Sequence, residues 1–161
     1  MAVFWRIATD TPSYEAIDLL GAGAQKVGGR WNRVGTPMLY ASGSIALAVL
    51  ETFVHLDAGL PLPLNRYLVR LELADRLWRS RAVFDASTLV GWDAEPAGKV
   101  SLDWGNAWAK SGNSLAAQVP SVIVPEESNV LLNPRHTDIN KVTASKLRRW
   151  TYDSRLGAQY G

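Results

Sequence analysis

The sequence predicts an α+β protein with mostly antiparallel strand pairing, on three observations. Residues 66–74, RYLVRLELA, alternate as a strand does. Tyr67, Val69, Leu71 and Leu73 point inward; Leu68, Arg70 and Glu72 point outward. From Ser44 to Asp57 the period changes: Ile45, Ala48, Val49, Thr52, Phe53 and Leu56 recur at helical spacing. The order of elements reads β-β-α-β-α-β-β, without the repeated βα rhythm that a doubly wound parallel sheet requires.

The remaining elements follow in order. Residues 3–8, VFWRIA, read as the first strand, with Val3, Trp5 and Ile7 on one face and Phe4, Arg6 and Ala8 on the other. Arg6 either snorkels to solvent from a strand edge or aims into a polar cleft. Residues 10–27 read as a short helix or irregular loop ended by Gly21 and Gly23. Gly28-Gly29 lets the backbone approach a ligand or another segment closely, and sets Arg30 at a defined place. A turn over Val34–Pro37 leads into a second strand, Pro37–Ser42, and Ser42 or Ser44 is placed to cap the helix that follows. Leu47, Leu50 and Val54 add a second apolar stripe, so that helix is expected to be buried nearly all round. Residues 101–110 read as a helix ended by Gly112-Asn113, with Leu102, Gly105 and Ala109 on one face and Trp104 and Trp108 on another. Residues 117–124 read as a strand buried on both faces, and Val130–Pro134 as a short strand. A short helix is expected within His136–Leu147, and a last strand over Arg148–Asp153.

Length and composition narrow the chemistry. One domain over residues 1–161 is expected, large enough for a real core. The net charge of +2 comes without a polybasic tract, which gives no footprint for nucleic acid. With no cysteine and two histidines, a zinc site is not expected. No signal-like or bilayer-length apolar segment is present, so a cytoplasmic protein is expected. The glycines do not fit the dinucleotide fingerprint or the phosphate loop, and Gly112-Asn113-Ser114-Leu115-Ala116 falls short of a nucleophile elbow.

Glu51 is the acid that stands out, set among apolar neighbours where a carboxylate is costly unless paired or hydrogen-bonded. It is either locked to an arginine for structure or faces a cleft and works. His55, one turn on, reads as a core or rim histidine. Arg30 suits a phosphate or carboxylate through its fork of donors, or else forms a structural ion pair. Ser121 reads as a small residue in a tight core or as a ligand donor. A single buried acid suits a leaving group that needs no proton. Nicotinamide departing from NAD+ is such a group: one carboxylate steadies the sugar, one arginine holds the diphosphate and one aromatic ring stacks.

Trp5-Arg6, Gly28-Gly29-Arg30-Trp31-Asn32, Leu39-Tyr40-Ala41-Ser42, Leu50-Glu51, Pro120-Ser121, Asn129-Val130-Leu131-Leu132-Asn133-Pro134 and Tyr152-Asp153-Ser154-Arg155-Leu156 together resemble the RES domain. That family supplies toxins of Res–Xre toxin–antitoxin systems. Its naming arginine, glutamate and serine fall at Arg30, Glu51 and Ser121. The resemblance implies the split, mostly antiparallel sheet with flanking helices of ADP-ribosyltransferase toxins. It further implies a toxin that cleaves the nicotinamide–ribose bond of NAD+ by hydrolysis or phosphorolysis, with NAD+ as substrate and no cofactor.

On that reading Arg30, Tyr40 and Glu51 are catalytic. Arg6, Arg30, Trp31, Asn32, Tyr40 and Ser121 bind NAD+. The implied partner is an Xre-like helix-turn-helix antitoxin, with a homodimer compatible with the complex and neither nucleic acid nor membrane contacted directly. One alternative is a mono-ADP-ribosyltransferase acting on a cellular protein. Another is a non-catalytic module that binds a partner or nucleic acid.

Overall fold

In the computed structural model, which describes residues 1–57 and 59–157, the elements run β1 (Ala2–Thr9), α1 (Ala22–Val27), β2 (Leu39–Ser42), α2 (Ile45–Phe53), β3 (Arg66–Leu73), α3 (Asp75–Arg79), β4 (Ala82–Val83), α4 (Lys99–Ser111), β5 (Ala116–Pro120), β6 (Ser128–Leu132), β7 (Thr143–Arg149) and α5 (Ser154–Gly157). The seven strands form one sheet in the order β4-β5-β6-β2-β1-β3-β7. Only β4 and β5 pair in parallel. The α+β, mostly antiparallel expectation therefore holds. The two halves meet at a narrow seam: β1 pairs with β3 along its whole length, from Ala2 opposite Leu73 to Thr9 opposite Arg66, but meets β2 only where Trp5 faces Ser42.

Alternation gives the sheet two buried faces. Phe4, Ala8, Leu39, Ala41, Val69, Leu71, Val130 and Leu132 share one, covered by Ala16 and by Leu77 of α3. The opposite face carries Ile7 and Leu68, where Ala48 of α2 and Tyr152 pack. Farther along, it carries Ala117, Val119 and Leu131 under the aromatic cluster of Trp31, Phe84, Trp92 and Trp108. With Trp104 packed against it, this cluster takes four of the seven tryptophans, and Trp31 lies edge-on to Phe84 at 4.8 Å.

Several expectations are corrected. Of the two readings of residues 10–27, the irregular one holds for residues 10–20, and the helix α1 begins after Gly21, its cap, instead of ending there. Ser44 caps α2 by accepting from the Leu47 N–H at 3.1 Å, but the helix stops at Phe53. Only Leu47 and Ala48 of α2 are fully buried, and Leu50 is exposed, as is Val54 just beyond the helix. A helix lying on one sheet face has one neighbour, so of its second apolar stripe only Leu47 is covered, while Leu50 and Val54 stay in solvent. His55 is exposed. Leu68, expected outward, is buried beneath α2. The segment after His136 forms only a 3-10 turn over Ile139–Lys141, and the last strand is Thr143–Arg149.

Five aspartates at or near the surface make stability depend on acid. Asp10 is held below the usual carboxylate range by Lys146, Asp103 by Lys99 and Arg33, Asp138 by Lys141, Asp153 by Arg155 and Asp85 by the Ser87 hydroxyl. Each folded value lies below the unfolded one, so the unfolded chain binds more protons in acid. Their stabilisation is present above roughly pH 4 and is lost as pH falls through the folded values. Thermal melts from pH 7 to 3 should show the midpoint dropping below roughly pH 4, less steeply in high salt for the ion-paired aspartates. A flat midpoint would contradict this.

Candidate active site

Residues paired across neighbouring strands share a face, so two rows of the sheet define the site. One row reads Val119, Asn129, Ser42 and Trp5; the next holds Ala117, Leu131 and Tyr40. Tyr40 and Ser42 are two residues apart on β2 and so about 7 Å apart along one face. Above that face lies α2. Glu51 follows Leu47 by four residues and Ala48 by three, which turns it toward the sheet with those two buried side chains.

The Glu51 carboxylate has two protein donors, both on the same oxygen. Ser121 Oγ donates to Oε1 at 2.7 Å, and Asn129 Nδ2 donates to Oε1 at 2.6 Å. Ser42 Oγ in turn donates to Asn129 Oδ1 at 2.7 Å. Ser121 sits just past β5, fully buried, and its oxygen accepts from the backbone N–H groups of Ile123 and Val124, each at 3.1 Å. With its only proton committed to Glu51, Ser121 serves the carboxylate. That corrects the expectation that it donates to a ligand.

Tyr40 is fixed differently. Its hydroxyl donates to Asn32 Oδ1 at 2.6 Å and accepts from the Trp31 N–H at 3.0 Å. Burial pushes the phenol well above its ordinary value, against smaller pulls from the Trp31 N–H and the charge of Arg30. It remains a protonated donor, which leaves the ring as the part able to meet a ligand. Gly29 is required here: a Cβ would lie 2.7 Å from the Tyr40 hydroxyl oxygen. Tyr40→Phe keeps the ring but strands Asn32 Oδ1 and the Trp31 N–H. It should lower stability by about 1–3 kcal/mol in denaturant melts, with a smaller loss of activity than Tyr40→Ala. Equal stability of Tyr40→Phe and the parent would show that the hydroxyl is not a clamp.

Arg30 lies beyond Tyr40. Its Nη1 donates to the carbonyls of Trp92 at 3.0 Å and Ala94 at 2.7 Å, and its Nη2 pairs with Glu95 at 2.8 Å. The Arg30 side chain is mostly buried at 17% exposure, whereas that of Glu95 is 80% exposed. Arg30 is thus bound to the 92–95 loop and makes no hydrogen bond to Glu51. Trp31 and Asn32, expected to touch substrate, are closed off. Trp31 is packed into the aromatic cluster. Asn32 Nδ2 is spent on the carbonyls of Ala24 at 2.8 Å and Thr36 at 2.9 Å. They hold Arg30 and Tyr40 from behind.

Arg6 stays on the other sheet face, opposite Val69, and does not reach Glu51. Nor does it snorkel: Nη1 is buried without a hydrogen-bond partner among the described residues, and burial lowers its pKa. It lines a cavity of about 150 Å³ with Tyr14, Asp18 and Tyr40, on the side of the seam where β1 and β2 diverge.

The chain matches the RES domain family over residues 3–154. It belongs to that family. It is 56% identical over 154 residues to a Prs ADP-ribosylating toxin of Sphingobium sp. (strain YBL2), covering 95% of both chains. It is 36% identical over 144 residues to Toxin Res of Yersinia enterocolitica, covering 89% of this chain and 93% of that one. Toxin Res of Pseudomonas putida is 35% identical over 155 residues, with 96% and 99% covered. Of the arginine, glutamate and serine expected from the sequence, the structure joins Glu51 and Ser121 directly and ties Arg30 to the 92–95 loop instead. Sequence reasoning gave Asn129, Ser42 and Glu95 no part in the site. Asn129 and Ser42 were legible in principle, since alternation puts Ser42 on the face of Tyr40 and Asn129 on the face of Leu131. Nothing in the sequence marked Glu95.

Proposed function

We propose that this RES-domain chain is a toxin that consumes NAD+ by breaking the bond between nicotinamide and ribose. The observation that carries the reading is Glu51, a carboxylate held through one oxygen by Ser121 and by Asn129, which shares a sheet face with Tyr40, in a chain that closely resembles an ADP-ribosylating toxin. Nicotinamide leaves with the bonding pair, neutral and without a proton. The Oε2 side of Glu51 faces the sugar as it becomes cationic, and the Tyr40 ring stacks on nicotinamide. Arg30 receives the diphosphate, and Arg6 adds a second cation behind Tyr40. The acceptor forms the new bond to the ribosyl carbon and gives up its proton to solvent.

A protein acceptor is the first reading, because the 56% relative is named for ADP-ribosylating Prs. Labelled NAD+ incubated with this chain, a cell lysate and purified Prs should move label onto a protein band. The second reading is transfer to water or phosphate. The Glu51 network, in which no second carboxylate bonds among the described residues, suits phosphate within that reading, because an anionic nucleophile needs no base to remove a proton before it attacks. In that case free ADP-ribose, or its 1-phosphate when phosphate is present, accumulates without a labelled band. If the chain released no nicotinamide under either condition, NAD+ consumption would be wrong. The relatives named Toxin Res also support an antitoxin partner, for which we propose an Xre-like helix-turn-helix protein that covers the Glu51 site. Among the described residues no helix is long and apolar enough to cross a membrane.

Arg30 supplies a prediction of its own. Glu95 occupies one arm of the guanidinium, so a diphosphate must compete with it. Glu95→Gln should lower KM for NAD+ with kcat little changed. Arg30→Lys, lacking the fork, should raise KM about tenfold or more, the weight of one charge-assisted hydrogen bond. Steady-state kinetics with unchanged KM in both variants would make Arg30 a loop anchor only.

A further inference from the structure

We propose that Asn129, oriented by Ser42, is the positioning residue that aims Glu51, and that this pair decides which carboxylate oxygen meets the substrate. The inference rests on the reading of Glu51 as the catalytic carboxylate. Both donors, Ser121 and Asn129, converge on Oε1, and no hydrogen bond reaches Oε2 among the described residues. One oxygen is therefore an anchor, and the other is left for the sugar.

The anchor is stiff because of where Asn129 sits. It lies on β6 directly between Val119 of β5 and Ser42 of β2, and Ser42 is opposite Trp5 at the seam with β1. A side chain in the middle of four paired strands has little freedom to move. Its amide has two orientations, and Ser42 selects one. The Ser42 hydroxyl donates to Oδ1, which turns the NH2 group toward Glu51. The reverse orientation would set Oδ1 against a carboxylate oxygen, acceptor against acceptor. Ser42 is itself 3% exposed and makes no hydrogen bond to Glu51, so its polar influence on that carboxylate passes through Asn129.

Ser121 alone would not fix the carboxylate. One hydrogen bond leaves Glu51 free to swing about Oε1, and α2 offers its side chain only a partly buried surface. Two donors from separate elements, the end of β5 and the middle of β6, hold the plane of the group. Positioning within a fraction of an ångström is what an electrostatic stabiliser of a developing charge requires.

The test measures nicotinamide release by the purified chain, the Glu51→Gln variant, Asn129→Leu, Ser42→Ala and the double variant. Asn129→Leu keeps the volume and removes the donor; it should lower kcat about 10- to 100-fold, the weight of one hydrogen bond to a charged group, with KM for NAD+ nearly unchanged. Ser42→Ala should lower kcat less, and Ser42→Thr should restore it. The double variant should be no slower than Asn129→Leu alone, because Ser42 acts only through the amide. Thermal melts accompany each variant, and Ser42→Ala carries the test if Asn129→Leu does not fold. The proposal is overturned if Glu51→Gln is inactive while folded Asn129→Leu or Ser42→Ala keeps the parental kcat. A loss lying wholly in KM, or additive losses in the double variant, overturns it equally. If Glu51→Gln matches the parent, the reading of Glu51 itself fails and the positioning role goes with it.

Discussion

Glu51→Gln should slow nicotinamide release about 10²- to 10³-fold, the effect of removing one preorganised charge aimed at a transition state. The network explains why this substitution is clean. A glutamine can keep its carbonyl oxygen where Oε1 sits, still accepting from Ser121 Oγ and Asn129 Nδ2. Its NH2 group then takes the place of Oε2. Size, anchoring and helix are preserved, while the atom facing the sugar changes from a negative oxygen to a donor that repels positive charge. The melting temperature should move little, and KM should follow kcat only weakly, because the ground-state sugar is neutral. Single-turnover release of nicotinamide measures the step directly. A variant as fast as the parent would reduce Glu51 to a strut between α2 and β6.

The same network shows what a linear reading can find. Glu51 stood out because a carboxylate inside an apolar helix needs a reason, and that physical anomaly survives in the folded chain. Arg30 is marked by its fork of donors and by the Gly28-Gly29 approach, and Tyr40 by the family resemblance; the fold uses that approach to bring Tyr40 against the Trp31 backbone. The partners were hidden by distance. Asn129 is 78 residues from Glu51 and Glu95 is 65 from Arg30, and neither breaks the local pattern around it. The helix α2 was misjudged for a related reason. Periodicity reports which side chains share a stripe, but whether a neighbour covers that stripe depends on the sheet order, so Leu50 and Val54 read as core yet lie in solvent. The strand β7 was misplaced because an edge strand with exposed Lys146, Arg148 and Arg149 lacks an apolar signal, while charges on an edge discourage pairing with other chains. Trp31 reads as a pocket wall because two of its burial partners, Phe84 and Trp92, come from segments whose structure the sequence does not declare.

Gly105→Ala should destabilise the protein although it improves the intrinsic propensity of a helix by up to about 1 kcal/mol. Gly105 sits inside α4 where the helix crosses the chain at Trp31. A Cβ there would lie 1.8 Å from the Trp31 carbonyl oxygen and 2.7 Å from its carbonyl carbon. Both are backbone atoms, so no rotamer change relieves the overlap. Two further links tie α4 to this segment, the Arg33 N–H to Asn106 Oδ1 at 3.0 Å and Arg33 to Asp103 at 2.7 Å, so the helix cannot lift away without breaking them. Overpacking of this kind costs about 1–3 kcal/mol or more, which outweighs the propensity gain. For a chain of this size the midpoint should fall by several degrees, at roughly 2–4 °C per kcal/mol. The displaced backbone is the link between Arg30 and Asn32, the clamp on Tyr40, so the surviving folded fraction should bind NAD+ more weakly while Glu51 keeps its anchors. Ala107→Gly, on the exposed side of the same helix, is the counterpart: it should cost only the propensity and leave KM alone. If Gly105→Ala melted at or above the parental temperature, α4 would not be seated on Trp31, and the arginine would have to be held in place by the 92–95 loop alone.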